Sequence, residues 1–327
     1  MQFHLGFQPT ISLNKITHQD GLLLIGSCFS EHIASRLGDL KFKVQANPFG
    51  IVFNPKSMAN ALNRIIHKKY FSENEVFEKE GAWYLLEAHS SVSSEKKEDL
   101  LNELNRLIDI WNQQLHTTSY LMLTVGSAFA YYHKVQEKVV ANCHKLPQSE
   151  FDKLLLENHE IIVDFQEMIN DLKAINPKIK IVFTVSPVKH LRDGVVENNL
   201  SKAILIQSVH QLVKQNTDCS YFPAYELVND DLRDYRFYES DLAHPNTQAI
   251  NYVWKKFSEV FFNDKTMEIN ERVLQIHQAY HHRLFNKATE SSVKFKHNFY
   301  QKCVTLQAEY SYLDLSKELH YFNNYED

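Results

Sequence analysis

The chain has 327 residues, 44% of them hydrophobic and 23% charged, with only 8 Gly and 8 Pro, which excludes a disordered, collagenous or linker-dominated protein. A formal charge of -5, from 35 Lys and Arg against 40 Asp and Glu, gives no general attraction to nucleic acid or anionic lipid, so neither is expected as a partner. No apolar run reaches the ~18 residues of a membrane span, no basic-then-apolar leader opens the chain, and Cys28, Cys143, Cys219 and Cys303 lack any close spacing, so a cytoplasmic protein without a metal site or disulfide framework is expected.

Residues 21–25 (GLLLI) are wholly apolar and stop at Gly26-Ser27, as a strand buried on both faces does. The following segment places Ile33, Ala34 and Leu37 at helical spacing, with Gly38 as a stop. Val76 to Ser90 reads as a hairpin turning at Glu80-Gly81, and a helix from about Ser94 to His116 carries Leu100, Leu104, Ile108 and Trp111 on one face. Tyr120 to Val125 is a second buried strand ending at Gly126-Ser127, and Tyr131 to Cys143 is a hairpin turning near Gln136-Glu137. Ser149 and Asp152 resemble a capping box, which predicts a helix from there through Leu172. Ile179 to Val185 is a third buried strand, ending at Ser186-Pro187; a helix over 201–214 and another opened by Pro245 complete the alternation. Strand and helix alternating in this way predict a mostly parallel sheet with helices on both faces. After about Asp264 the apolar residues keep helical spacing and no strand run recurs, which predicts an α/β domain over 1–263 and a helical extension over 264–327.

Ligands of such sheets bind beyond the carboxyl ends of the strands. Ser27 follows the first strand and opens a helix, where free backbone N–H groups favour an alkoxide or oxyanion; the plainer reading is an N-cap serine. Asp241 precedes His244 by three residues, a spacing at which the carboxylate can accept from the ring and leave Nε2 as a base. Ser, Asp and His in this order point to a triad. Cys28 is an alternative nucleophile or a small buried thiol. His89, Gly126 and His190 lie where they can line the same rim, and Arg233, Asp234 and Arg236 read as a salt-bridged brace for the Asp241 loop.

Gly26-Ser27-Cys28-Phe29-Ser30 resembles the signature of the GSCFA-domain family, placed in the SGNH (GDSL-like) hydrolase superfamily. Asn47 to Gly50, Ala141 to Lys145, Ser186 to His190, Tyr221 to Glu226 and the closing DxxHP are similar to that family too, over about residues 20 to 262. The resemblance implies a three-layer α/β/α sandwich with a flavodoxin-like sheet that cleaves acyl esters without a cofactor. It makes Ser27 the nucleophile, Asp241 and His244 the acid and base, and Ser27, Gly50 and Asn142 the oxyanion hole. Asn142 enters because Ala128 stands where the superfamily has its asparagine. The expected function is hydrolysis of an acetyl or short-chain ester of a small molecule or glycan. Acyl transfer by the same triad, or glycan or peptide binding without catalysis, are the alternatives.

Overall fold

A computed structural model describes residues 5–282 and 289–323. Ten strands occur among them: β1 (Gly21–Gly26), β2 (Lys43–Ala46), β3 (Val76–Lys79), β4 (Ala82–Leu85), β5 (Tyr120–Val125), β6 (Phe129–His133), β7 (Lys138–Val140), β8 (Phe151–Leu155), β9 (Lys180–Val185) and β10 (Cys219–Tyr221). The longer helices are α1 (Cys28–Asp39), α2 (Pro55–Ile66), α3 (Lys97–Leu115), α4 (Asn158–Ile175), α5 (Val195–Gln215), α6 (Thr247–Phe261), α7 (Asp264–Tyr280), α8 (Glu290–Glu309) and α9 (Ser316–Asn323).

The central sheet runs β10-β9-β5-β1-β2, and every pairing in it is parallel. Taken in chain order its strands lie 2-1-3-4-5, the flavodoxin arrangement, which puts a topological switch between β1 and β5. Strand side chains alternate between faces, and the sequence supplies apolar residues to both. Leu23, Ile25, Leu121, Leu123, Ile181 and Phe183 join α2 to α5 in one core. Leu22, Leu24, Tyr120, Met122 and Val182 join α1 and α6 in the other. Two cores on one sheet make the three-layer α/β/α sandwich. The two predicted hairpins form at the rim, with left-handed turn residues Glu80, Gly81 and Glu137.

The helix expected from Ser149 starts later. Phe151–Leu155 is instead β8, paired antiparallel with β6 from Phe129↔Leu155 to His133↔Phe151. The capping box is built by Glu157 and Glu160 at the start of α4. Leu154 and Leu155 continue the apolar spacing of α4 backwards in the sequence, but the open edge of β6 takes their backbone groups.

The helices after Asp264 do not stand apart from the sandwich. Ile269, Val273, Ile276, Leu306, Leu315 and Phe322 share one buried cluster with Phe29, Ile33, Leu37 and Phe257. Lys41, just after α1, pairs with the buried Glu318 of α9 at 2.6 Å.

Candidate active site

Gly26 ends β1 with φ +154°, and a Cβ there would lie 2.4 Å from Thr124 O and 2.8 Å from Ser30 Oγ. Glycine is therefore what lets the chain leave the sheet at this point. Ser27 follows as the N-cap of α1; its Oγ accepts from Phe29 N at 3.3 Å and donates to Ser186 Oγ at 3.1 Å. The residue is only 4% exposed, and no partner for its N–H occurs among the described residues. Ser186 itself follows β9, so two strand ends meet at the hydroxyl.

The DxxH turn lies at the same end of the sheet. Asp241 Oδ1 accepts from Ala243 N at 2.9 Å and His244 N at 3.0 Å, while Oδ2 is 2.6 Å from His244 Nδ1. The backbone N–H groups, then the ring, hold this carboxyl down at about 2, so it is ionised at neutral pH. An ionised carboxylate only accepts, so Nδ1 carries the proton and Nε2 of a neutral ring is left as a base. Lys189 N to Ala243 O (3.0 Å) and Glu239 N to His244 O (2.8 Å) tie the turn to the end of β9 and to its own entry. The Asp234–Arg236 ion pair precedes it at 2.8 Å. Pro245 stands just before Asn246, the actual N-cap of α6, rather than opening the helix. His244 lines a small cavity of about 30 Å³ together with Cys28, Phe29, His32 and Pro187. In this resting arrangement the Ser27 hydroxyl points to Ser186 and not to His244.

The remaining predicted residues divide. Cys28 faces the cavity, but burial and then Glu31 push its thiol pKa up, which opposes the thiolate a cysteine nucleophile needs. Gly50 has φ +73°, and its N–H is donated to Asn47 O at 2.9 Å, so it is already committed and cannot serve the oxyanion without breaking that turn. His89 packs against Gly50 and accepts from Ser91 N through Nδ1. Gly126 gives its N–H to Phe53 O. Asn142 does not join the residues around His244: it lines a separate groove of about 660 Å³ beside the rim hairpin, with its Oδ1 accepting from His144 N at 2.8 Å. His190 packs against Phe53 with the rings tilted by 32° and their centroids 4.9 Å apart. Burial, then the Lys202 charge and that of His244, bring its pKa down to about 4.

The structure adds Lys202, which is 1% exposed. Its Nζ donates to Gly126 O at 2.6 Å and Ser186 O at 2.8 Å, bridging the ends of β5 and β9 behind Ser27. Burial brings its pKa down to about 7. A neutral amine still has two N–H donors, enough for both carbonyls. The signal was present in the sequence: Lys202 sits on the same stripe of α5 as Leu205, Val209 and Leu212, where a charged residue is out of place. Among the described residues no group of three or more His, Cys, Asp and Glu is placed to hold a metal ion, and no helix is long and apolar enough to cross a membrane.

The fold and the strand ends define a doubly wound α/β/α protein, with Ser27 and the Asp241–His244 pair both at the carboxyl edge of its sheet. The chain belongs to the GSCFA family, which it matches over residues 21–257; residues 273–326 match the GSCFA domain protein, C-terminal domain. Among solved structures it is similar to a carbohydrate esterase family 3 protein from Talaromyces cellulolyticus. That similarity covers 77% of this chain and 98% of that one, at 8% identity and a TM-score of 0.36, and bears on neither site nor substrate. No curated protein matches the chain.

Proposed function

We propose that the protein is a serine hydrolase of the SGNH type that cleaves a short O-acyl ester, acetyl above all, from a small molecule or glycan. The observation that carries this reading is the His244 Nδ1 to Asp241 Oδ2 contact of 2.6 Å, on a carboxylate whose other oxygen is fixed by two backbone N–H groups. Such a pair is built to orient a base, and it stands at the strand edge where Ser27 opens α1. His244 Nε2 takes the Ser27 proton as Oγ attacks the ester carbonyl; Asp241 stabilises the imidazolium, which then protonates the leaving alcohol. Ser27 must first release Ser186 and turn toward His244. The Ser27 N–H, at a helix N-terminus, receives the oxyanion. The cavity beside His244 has room for roughly two water-sized groups, which favours an acetyl over a long acyl chain. Transfer of the acyl group to an alcohol instead of water uses the same intermediate.

The test is labelling with a fluorophosphonate, which reacts only with an activated serine. Wild type should label at Ser27, Ser27→Ala should not, and Cys28→Ala should label normally. Turnover of p-nitrophenyl acetate kept in Ser27→Ala but lost in Cys28→Ala would transfer the role to the thiol. No labelling of wild type would favour a binding module on the same fold.

A further inference from the structure

The groove that holds Asn142 adjoins the end of β5 through Phe53. Phe53 lines it and packs against His190, and Phe53 O accepts from Gly126 N at the end of β5. Its polar groups are unbalanced toward donors. Asn54, 4% exposed, spends its Oδ1 on Ser57 N at 2.8 Å, and Asn142 spends its own on His144 N. Neither amide nitrogen has a hydrogen-bond partner among the described residues, so each is left as a donor. Three cations and one carboxylate also line the groove: Lys145, Lys153, Arg192 and Asp193. Lys153 pairs with Asp193. Lys145 and Arg192 have no acidic partner among the described residues, so the groove carries two unbalanced positive charges in a chain whose net charge is -5.

The loop bearing Lys145 is held in an unusual shape. His144 and Lys145 are successive left-handed residues, with φ of 47° and 54°, a costly conformation for side-chain-bearing residues. Lys79 Nζ fixes it by donating to both of their carbonyls, at 2.8 and 2.9 Å.

We propose that this groove is the subsite for the alcohol part of the ester and that it takes a sugar-sized alcohol bearing an anionic group, a carboxylate or a phosphate. This assignment rests on the hydrolase reading above for its place in the reaction, but not for the binding itself. Amide and cationic donors without matching acceptors suit carboxylate and phosphate oxygens, and Phe53, Phe129 and Tyr131 supply apolar and aromatic wall for a sugar ring.

The test is calorimetric titration of the full chain with methyl glucuronide, glucose 6-phosphate and neutral methyl glucoside. At least one anion should bind about tenfold more tightly than the neutral sugar, the size of one partly screened charged contact, and the tighter anion identifies the group. The advantage should shrink with added salt. It should disappear in the double variant Lys145→Gln with Arg192→Gln, checked for an unchanged melting temperature. The same discrimination in Ser27→Ala would uphold the groove even if fluorophosphonate labelling failed. Equal affinity for neutral and anionic sugars, no binding by either anion, or discrimination that survives in the double variant overturns the proposal, whatever the labelling result.

Discussion

The Ser27 hydroxyl donates to Ser186 Oγ at 3.1 Å, and the carbonyl of that same Ser186 is held by Lys202 Nζ at 2.8 Å. The resting position of the candidate nucleophile is thus set from β9, by a residue whose backbone is fixed by a buried amine. Because Nζ also holds Gly126 O, one side chain on α5 sets the spacing of the ends of β5 and β9, on the side of β1 from which Ser186 reaches Ser27.

Lys202 should leave a signature in stability against pH. Burial brings its pKa from the ordinary lysine value of 10.5 down to about 7 in the fold. A group depressed in this way contributes stability that is present above the unfolded value and lost as pH falls through the folded one. Wild type should therefore gain on Lys202→Met between about pH 7 and 10.5, by at most about 1.4 kcal/mol per pH unit. Urea unfolding of both proteins at several pH values across that window measures the difference; a difference independent of pH would remove Lys202 from this environment.

Asp241 and His244 should act as one unit with Ser27. Asp241→Asn keeps the shape of the turn but stabilises the wrong ring tautomer, a change that costs on the order of 10⁴ in turnover where a triad operates. Ser27→Ala combined with His244→Ala should be hardly slower than either alone. Acetyl ester hydrolysis by the four proteins decides this, and rate losses that multiply would separate His244 from Ser27.

The strands and their ends were legible because apolar runs buried on both faces stop abruptly at small residues: Leu22 to Ile25 at Gly26-Ser27, and Ile181 to Val185 at Ser186. The DxxH turn was legible because its geometry is local, with Asp241 and His244 three residues apart. What was hidden depends on distant contacts. Phe151–Leu155 became a strand only because β6 has an open edge. Gly50 is spent on a turn with Asn47, which no spacing reveals. Ser186 and Lys202 acquire a role only when β5, β9 and α5 converge.

The helices from Asp264 onward should prove necessary to the fold. A chain ending at 263 would lose the cover over Phe29, Ile33, Leu37 and Phe257 and leave Lys41 without Glu318. Each large apolar side chain returned to water costs about 1.5 to 3 kcal/mol, and several together approach the ~5 to 15 kcal/mol that holds a typical domain. The truncated chain should be insoluble or melt far below the full one, as differential scanning calorimetry would report. An unchanged melting temperature would show these helices to be dispensable to the fold.

Asn142 offers a kinetic distinction between the two cavities. A donor aimed at the oxyanion acts on the transition state, so its loss would lower kcat by about 10² to 10³ with little effect on KM. A donor in the wall of the groove binds substrate and transition state alike, so its loss raises KM with kcat held. Asn142 shares the groove with Lys145 and Arg192 and is absent from the cavity around His244, so the second pattern is expected. Asn142→Ala should raise KM for an acetylated glucuronide by about tenfold, the worth of one neutral hydrogen bond. Asn142→Asp should raise it further, because its charge opposes the anion the groove is proposed to hold, while an acetylated neutral glucoside should respond equally to both variants. Steady-state kinetics on the two esters reads this directly. A loss confined to kcat, equal for both esters, would return Asn142 to the oxyanion hole and leave the groove to Asn54, Lys145 and Arg192.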